Sequence, residues 1–201
     1  MTRKFHIVAI SGSLRSRSTN TELLHAVASV ADEIANVVIY EDVGRLPHFN
    51  PDIDVDGSHL PDEVSELRAL VAASDAILIA SPEYAHGVPG SLKNALDWLV
   101  SGPEIVGKPA GLLNASKRSV HAHQALAETL RTMSANLVDD AVATIPLDGL
   151  RLDAAAIAAD HAFRTAIHHV VIALMIAVRM LHQFRTVRQP ADGTVLYRRA
   201  G

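Results

Sequence analysis

The chain has 201 residues, 49% of them hydrophobic and 20% charged, which is enough apolar material for the core of one domain and too much for a disordered tail. A net charge of −4 argues against a nucleic-acid binder working through a bulk basic field. The absence of cysteine removes disulfides, thiolate metal sites, iron–sulfur clusters and a cysteine nucleophile together.

In chain order, residues 5–11 are a short apolar run that stops at Gly12, which predicts a buried strand. Arg3 and Lys4 precede it, but the run is too short for a signal peptide. Residues 19–35 carry Leu23, Leu24, Val27, Val30, Ala31 and Ile34 at helical spacing. Residues 37–40, three β-branched residues and a tyrosine, predict a second strand, and the prolines and glycine of residues 45–61 predict a loop. A helix is expected over 63–73, a doubly covered strand over 75–80, and a helix from Pro89 to about Val100. A strand over 109–114, a helix over 121–135 and a fifth strand over 137–145 follow, and residues 154–184 are mostly helix. The apolar run 170–178 is nine residues long, against about 20 for a bilayer span. The expectation is therefore a cytoplasmic protein with no membrane and no nucleic-acid partner.

This alternation predicts βαβ units and an α/β fold, an open doubly wound parallel sheet of five strands with helices on both faces. Ligands of such sheets bind beyond the carboxyl ends of the strands, so the segments after Ile10, Ala80 and Leu113 are the places to look. One domain is expected over residues 1–185. A tail follows over 186–201, where Asp192-Gly193 between β-favouring residues predicts a small hairpin.

Gly12-Ser13-Leu14-Arg15-Ser16-Arg17-Ser18-Thr19-Asn20 follows the first strand and precedes a helix. It matches neither the dinucleotide fingerprint nor the Walker loop. Its hydroxyls, two guanidiniums and amide gather at a helix N-terminus, where free N–H groups and the helix dipole favour an anion. Two readings stand: a phosphate site, or a capped helix with solvated arginines. After the third strand, Ser81-Pro82-Glu83-Tyr84-Ala85-His86-Gly87-Val88-Pro89-Gly90 is a proline- and glycine-fixed loop able to approach a flat ligand, with Tyr84 available for stacking. The following helix opens Ser91-Leu92-Lys93-Asn94-Ala95-Leu96-Asp97-Trp98, in which Lys93 and Asp97 stand four apart and can pair.

Taken together, G-S-L-R-x-x-S-x-N and S-P-E-Y…P-G-x-L-K-N-A-x-D-W resemble the NADPH-dependent FMN reductase family of flavodoxin-like proteins, which includes quinone, azo-dye and chromate reductases. The resemblance implies a flavodoxin-like fold with FMN bound non-covalently. It implies that Ser13, Arg15, Ser18, Thr19 and Asn20 hold the FMN phosphate, and that Pro82, Glu83, Tyr84 and Ala85, with His86 and Gly87, line the flavin. Many members carry Asn after the Tyr, where this chain has Ala85-His86, and His86 is expected to face solvent. Family members often have a glycine-rich third loop. Here Asn114-Ala115-Ser116-Lys117-Arg118-Ser119 offers Ser116 as a flavin contact, with Lys117 and Arg118 read as solvated or as a site for the 2′-phosphate of NADPH.

The implied activity is hydride transfer from NADPH or NADH through FMN to a small acceptor such as a quinone, free flavin, azo compound or metal oxyanion, with no obligate acid–base side chain. A homodimer or homotetramer is implied, with the apolar last helix as core element or subunit contact. The rival readings are a flavodoxin-type electron carrier without NAD(P)H turnover, and a flavin-free binding protein on the same fold. Asp52, Asp54, Asp56, Gly57 and Glu63 fit the calcium-loop pattern, but Pro47, Pro51 and Pro61 deny it the flanking helices, so no calcium site is expected. The eleven histidines form no metal-binding motif, and no Ser-His-Asp arrangement can be inferred.

Overall fold

Ile7 and Ala9 point to one side of the first strand and Val8 and Ile10 to the other, and all four are buried, so this strand is covered on both faces. The computed structural model describes residues 4–55 and 57–187. Five strands, β1 (Phe5–Ser11), β2 (Ala35–Tyr40), β3 (Ala76–Ala80), β4 (Pro109–Asn114) and β5 (Asn136–Thr144), form one parallel sheet in the order β2-β1-β3-β4-β5. This is the flavodoxin-like order, with its switch point between β1 and β3.

Six helices cover the sheet: α1 (Thr19–Ala31), α2 (Asp62–Ala73), α3 (Gly90–Asp97), α4 (Val120–Thr132), α5 (Ala154–Ala159) and α6 (His161–Val187). Leu23, Leu24 and Val27 of α1 share one core with Ile157 of α5 and with Ile167, Val170, Val171 and Leu174 of α6. Val64 and Leu67 of α2, Leu92 and Leu96 of α3, and Leu126 and Leu130 of α4 build the other. The expected doubly wound architecture is therefore present, with helices on both faces.

Four helix ends differ from the periodicity. α1 stops at Ala31, where Ile34 N–H turns back to the Ala31 carbonyl (2.8 Å) before β2 begins. α3 stops at Asp97 and continues to Val100 only as turns. α4 stops at Thr132 because Ser134 takes a φ of 61°, which a right-handed helix of L-residues cannot contain. The segment expected as mostly helix breaks at Asp160, whose carboxylate accepts the N–H groups of Ala162 (2.9 Å) and Phe163 (3.0 Å) and starts α6 afresh. The hairpin expected around Asp192-Gly193 lies outside the described residues.

Over His161–Gln183 the helix α6 is long and apolar enough to cross a bilayer, with a mean hydropathy of 1.6, which the nine-residue run did not reveal. Its buried stripe packs on β4, β5 and α1, while Ile176 and Met180 on the same helix stay exposed.

Residues of the third-strand motif anchor the long loop 45–61. Trp98 is fully buried, donates its indole N–H to the Pro47 carbonyl (2.8 Å) and meets the Phe49 ring edge-on at 5.1 Å. The Asn94 amide accepts from Phe49 N–H (2.8 Å) and donates to Pro47 O (3.0 Å). Asp54, within the calcium-like pattern, faces inward to Arg68 at 3.4 Å. Among the described residues no three His, Asp or Glu side chains are placed to hold a metal.

Two irregularities shape the carboxyl edge. Ala110 pairs with Leu137 but Leu112 with Val142, so two steps along β4 correspond to five along β5, and a β-bulge absorbs an excess of three residues. Gly111 sits under it, where an added Cβ would lie 3.0 Å from the Ala141 carbonyl oxygen and from Leu78 Cδ1. Between Tyr84 and Gly87 the chain reverses through Ala85 (φ 49°) and His86 (φ 59°), closed by two backbone hydrogen bonds of 3.1 and 2.9 Å. Positive φ at both central residues is the type I′ pattern, and here neither is glycine.

Two stability predictions follow from this framework. The Tyr40 side chain is buried, its hydroxyl has no hydrogen-bond partner among the described residues, and burial followed by the charge of Asp42 pushes its pKa up to about 12. An ordinary tyrosine titrates near 10, so the stability tied to the neutral phenol is complete below about pH 10 and is lost as pH rises toward about 12. Tyr40→Phe should raise unfolding free energy by about 1 kcal/mol at neutral pH and flatten the alkaline limb, measured by urea denaturation across pH. Ala85→Gly should add about 0.5–1 kcal/mol in the same assay, since the left-handed cost of an L-residue exceeds the flexibility cost of glycine. An unchanged midpoint in either variant would count against the corresponding strain.

Candidate functional site

Beyond the switch point, the Gly12 N–H continues the β1–β3 pairing by donating to the Ala80 carbonyl (2.9 Å). An added Cβ at Gly12 would stand 2.8 Å from both Leu92 Cδ2 and Ser81 Oγ, so only glycine lets the β1–α1 and β3–α3 loops come this close. A cavity of about 850 Å³ opens above them, walled by the β1–α1, β3–α3, β4–α4 and β5–α5 loops. Its size is in the range of small-molecule and cofactor sites.

The first wall is the start of α1. Ser18 is the N-cap, its hydroxyl accepting from Thr21 N–H (3.3 Å), and the Ser11 and Thr21 hydroxyls are bonded at 2.7 Å beneath it. Ser13 is buried under the loop, where its hydroxyl accepts from Arg15 N–H (3.3 Å). Arg15, Ser18, Thr19 and Asn20 line the cavity with Arg17. Arg15 and Arg17 make no ion pair among the described residues. The Asn20 side chain is buried and its amide oxygen has no donor among the described residues.

The second wall is the β3–α3 loop. Pro82 and Glu83 line the cavity, whereas the Tyr84–Gly87 turn stands beyond its lining. The Glu83 carboxylate turns away to accept the Ala122 N–H (2.8 Å) in the first turn of α4, so the side chain fixes a helix end and leaves the loop backbone to face the cavity. Tyr84 is about half exposed. His86 is exposed as expected, yet its ring stacks on His121 of α4 at 4.2 Å between centroids.

In the third wall Ser116 lines the cavity and is also tied to its neighbours. Its hydroxyl donates to Asp148 Oδ1 (2.6 Å) and accepts from Arg118 N–H (3.1 Å), so it is engaged in holding the loop. Arg118, expected as solvated, also reaches Asp148, at 3.3 Å. The Ser116 hydrogen bond is the main cause that holds the Asp148 carboxyl below its ordinary range, with Lys117 N–H and Arg118 adding to it. Asp148, Asn114 and the 147–153 segment carry no motif of their own. The signal that could have found them is position: Asp148-Gly149 is a turn pair just past β5, at the sheet edge the fold designates for ligands.

Four carboxylates line the cavity, and each accepts a backbone N–H: Glu22 from Ala154 (2.8 Å), Glu83 from Ala122 (2.8 Å), Asp148 from Lys117 (3.0 Å) and Asp153 from Ala156 (2.8 Å). Arg15, Arg17 and Arg151 also line it, and among the described residues none has an anionic partner. The arrangement suits an elongated ligand with an anionic end.

Comparison with known proteins agrees. A family model described as NADPH-dependent FMN reductase matches residues 5–148. A probable NADPH:quinone oxidoreductase of Oryza sativa subsp. japonica is 45% identical over 98 residues, 48% of each chain. An NAD(P)H-dependent FMN reductase of Pseudomonas aeruginosa is 36% identical over 118 residues, 58% of this chain and 62% of that one. The matches thus span about half the length of these curated relatives. The solved structure of the NAD(P)H:(acceptor) oxidoreductase FerB of Paracoccus denitrificans superposes with a TM-score of 0.69 at 22% identity, over 87% of this chain and 98% of that one, which shows a shared fold. With the match to the family model covering most of its length, this chain belongs to the NADPH-dependent FMN reductase family.

Proposed function

We propose that the protein is an NAD(P)H-dependent oxidoreductase that binds FMN in this cavity and passes electrons to a small acceptor of the quinone, flavin, azo or metal-oxyanion class. The observation that carries the reading is the start of α1: among the described residues Arg15 and Arg17 have no anionic partner, and the buried Asn20 amide oxygen beside them has no donor. In one orientation of its amide, the Asn20 oxygen calls for a hydroxyl. Flipped, the amide offers N–H to an anion. FMN has ribityl hydroxyls and a phosphate, so the residues fit the group in either orientation.

In this reading Arg15, Thr19 and Asn20 hold the phosphate, with Ser13 and Ser18 shaping the loop beneath it. Pro82 and Glu83 present backbone to the flavin within the cavity, Tyr84, Ala85, His86 and Gly87 meet the part of the ring that extends past its lining, and Ser116 keeps the opposite wall in place. When bound, FMN supplies the two-electron chemistry between reduced nicotinamide and acceptor. The protein's part is to position it and keep one side open, so no acid–base residue is assigned. The protein works as a homodimer or homotetramer in the cytoplasm, with residues 1–185 as its single FMN-binding domain.

Anaerobic titration of the FMN-loaded protein with NADPH and with NADH tests the activity: bleaching of the flavin band by either supports it, and none by either refutes it. Arg15→Ala should raise the FMN dissociation constant about 10- to 100-fold, because charge-assisted bonds to phosphate are the strong ones, and leave riboflavin, which lacks the phosphate, unchanged. Equal weakening of both flavins would remove Arg15 from the phosphate end.

A further inference from the structure

The β4–α4 loop has an unusual economy of donors. Ser116 N–H goes to Asn114 Oδ1 (3.0 Å), Lys117 N–H to Asp148 Oδ2 (3.0 Å), Arg118 N–H to Ser116 Oγ (3.1 Å) and Ser119 N–H to the Ser116 carbonyl (3.2 Å). All four amides are satisfied within the protein. Asp148 receives the most from this loop, taking the Ser116 hydroxyl, the Lys117 amide and the Arg118 guanidinium. It is carried there by strand pairing that outlasts the strands, as Ile145 N–H donates to Asn114 O (2.8 Å) and Leu147 N–H to Ala115 O (2.9 Å). Both loops it joins line the cavity. β4 lies two strands from β1, a separation of about 10 Å, so a ligand anchored by its phosphate at α1 reaches this wall with its other end.

We propose that Asp148 is a positioning residue that clasps the β4–α4 loop to the β5–α5 loop and so fixes the wall against which the ring end of the flavin rests. This rests on the flavin reading given above. Its action is indirect: Asp148 holds Ser116–Arg118 in one shape, and that shape sets the width of the cleft opposite the Pro82–Gly87 loop. The Arg118 guanidinium is held at the cavity mouth by the same carboxylate.

The test is binding of FMN and riboflavin to the parent protein and to D148A, D148N and S116A, followed by quenching of flavin fluorescence, with thermal melting of each variant alongside. In D148A both dissociation constants should rise by a similar factor of about ten, since the wall meets the ring that both flavins share. D148N retains one acceptor oxygen but sets its NH2 against either the Lys117 N–H or the Arg118 guanidinium, so it should weaken both flavins less than D148A does, by about threefold to tenfold. S116A removes one donor from the clasp and should weaken both flavins about threefold. It carries the test alone if D148A fails to fold. Dissociation constants in D148A and S116A within twofold of the parent overturn the proposal, as does a loss confined to FMN, which would place the effect at the phosphate. If the parent binds neither flavin, the functional reading itself falls, a result distinct from normal parent binding with an indifferent D148A.

Discussion

Carboxylates bonded to backbone N–H groups hold this site together. A loop at a sheet edge carries amides that need acceptors, and a helix start carries several that no intrahelical carbonyl can reach. Glu22 of α1 serves the start of α5, and Glu83 of the β3–α3 loop serves the start of α4. Asp148 of the β5–α5 loop serves the β4–α4 loop. Each bond ties one loop to another element, so the walls are cross-linked by the protein itself. The same bonds, with that of Asp153 to Ala156, commit the acidic groups lining the cavity to backbone N–H groups, whereas Arg15, Arg17 and Arg151 have no anionic partner among the described residues. A cavity lined by four arginines and four carboxylates can therefore still accept an anion locally at the start of α1, where Arg15 and Arg17, without anionic partners among the described residues, meet a helix N-terminus.

Much of the fold was legible because its signals are local. Doubly buried strands read as continuous apolar runs, and β1, β3 and β4 are of this kind, buried along most or all of their length. Helix ends were less legible. Apolar spacing continues past the point where geometry stops a helix, as at Ile34, which packs on the core from a turn. The break at Asp160 lies within apolar spacing that carries on through it, and only the capping bonds to Ala162 and Phe163 reveal it. Hydropathy misled in another way, since α6 has the composition of a membrane span while covering one face of the sheet.

The site divides along the same line. The start of α1 could be read from the chain because its donors are neighbours in sequence. Asn94 and Trp98 were visible as part of a motif, but their work is to secure a loop some fifty residues away, which spacing does not disclose. The bond from Ser116 to Asp148 was hidden for a related reason: Asp148 lies 32 residues on and becomes a neighbour only through sheet pairing. Asp148 itself belongs to no pattern.

The bulge over Gly111 has a bearing on how such a chain can vary. By passing three extra residues of β5 across β4, it sets which side chain arrives opposite Ser116. In an uninterrupted ladder Ile145 would occupy the place of Asp148, and an apolar group would meet three polar donors. The loop chemistry at the rim is thus governed by a length adjustment deep in the sheet. An insertion or deletion between Val138 and Ala141 would leave the cavity's own residues intact and still bring the wrong one to the rim.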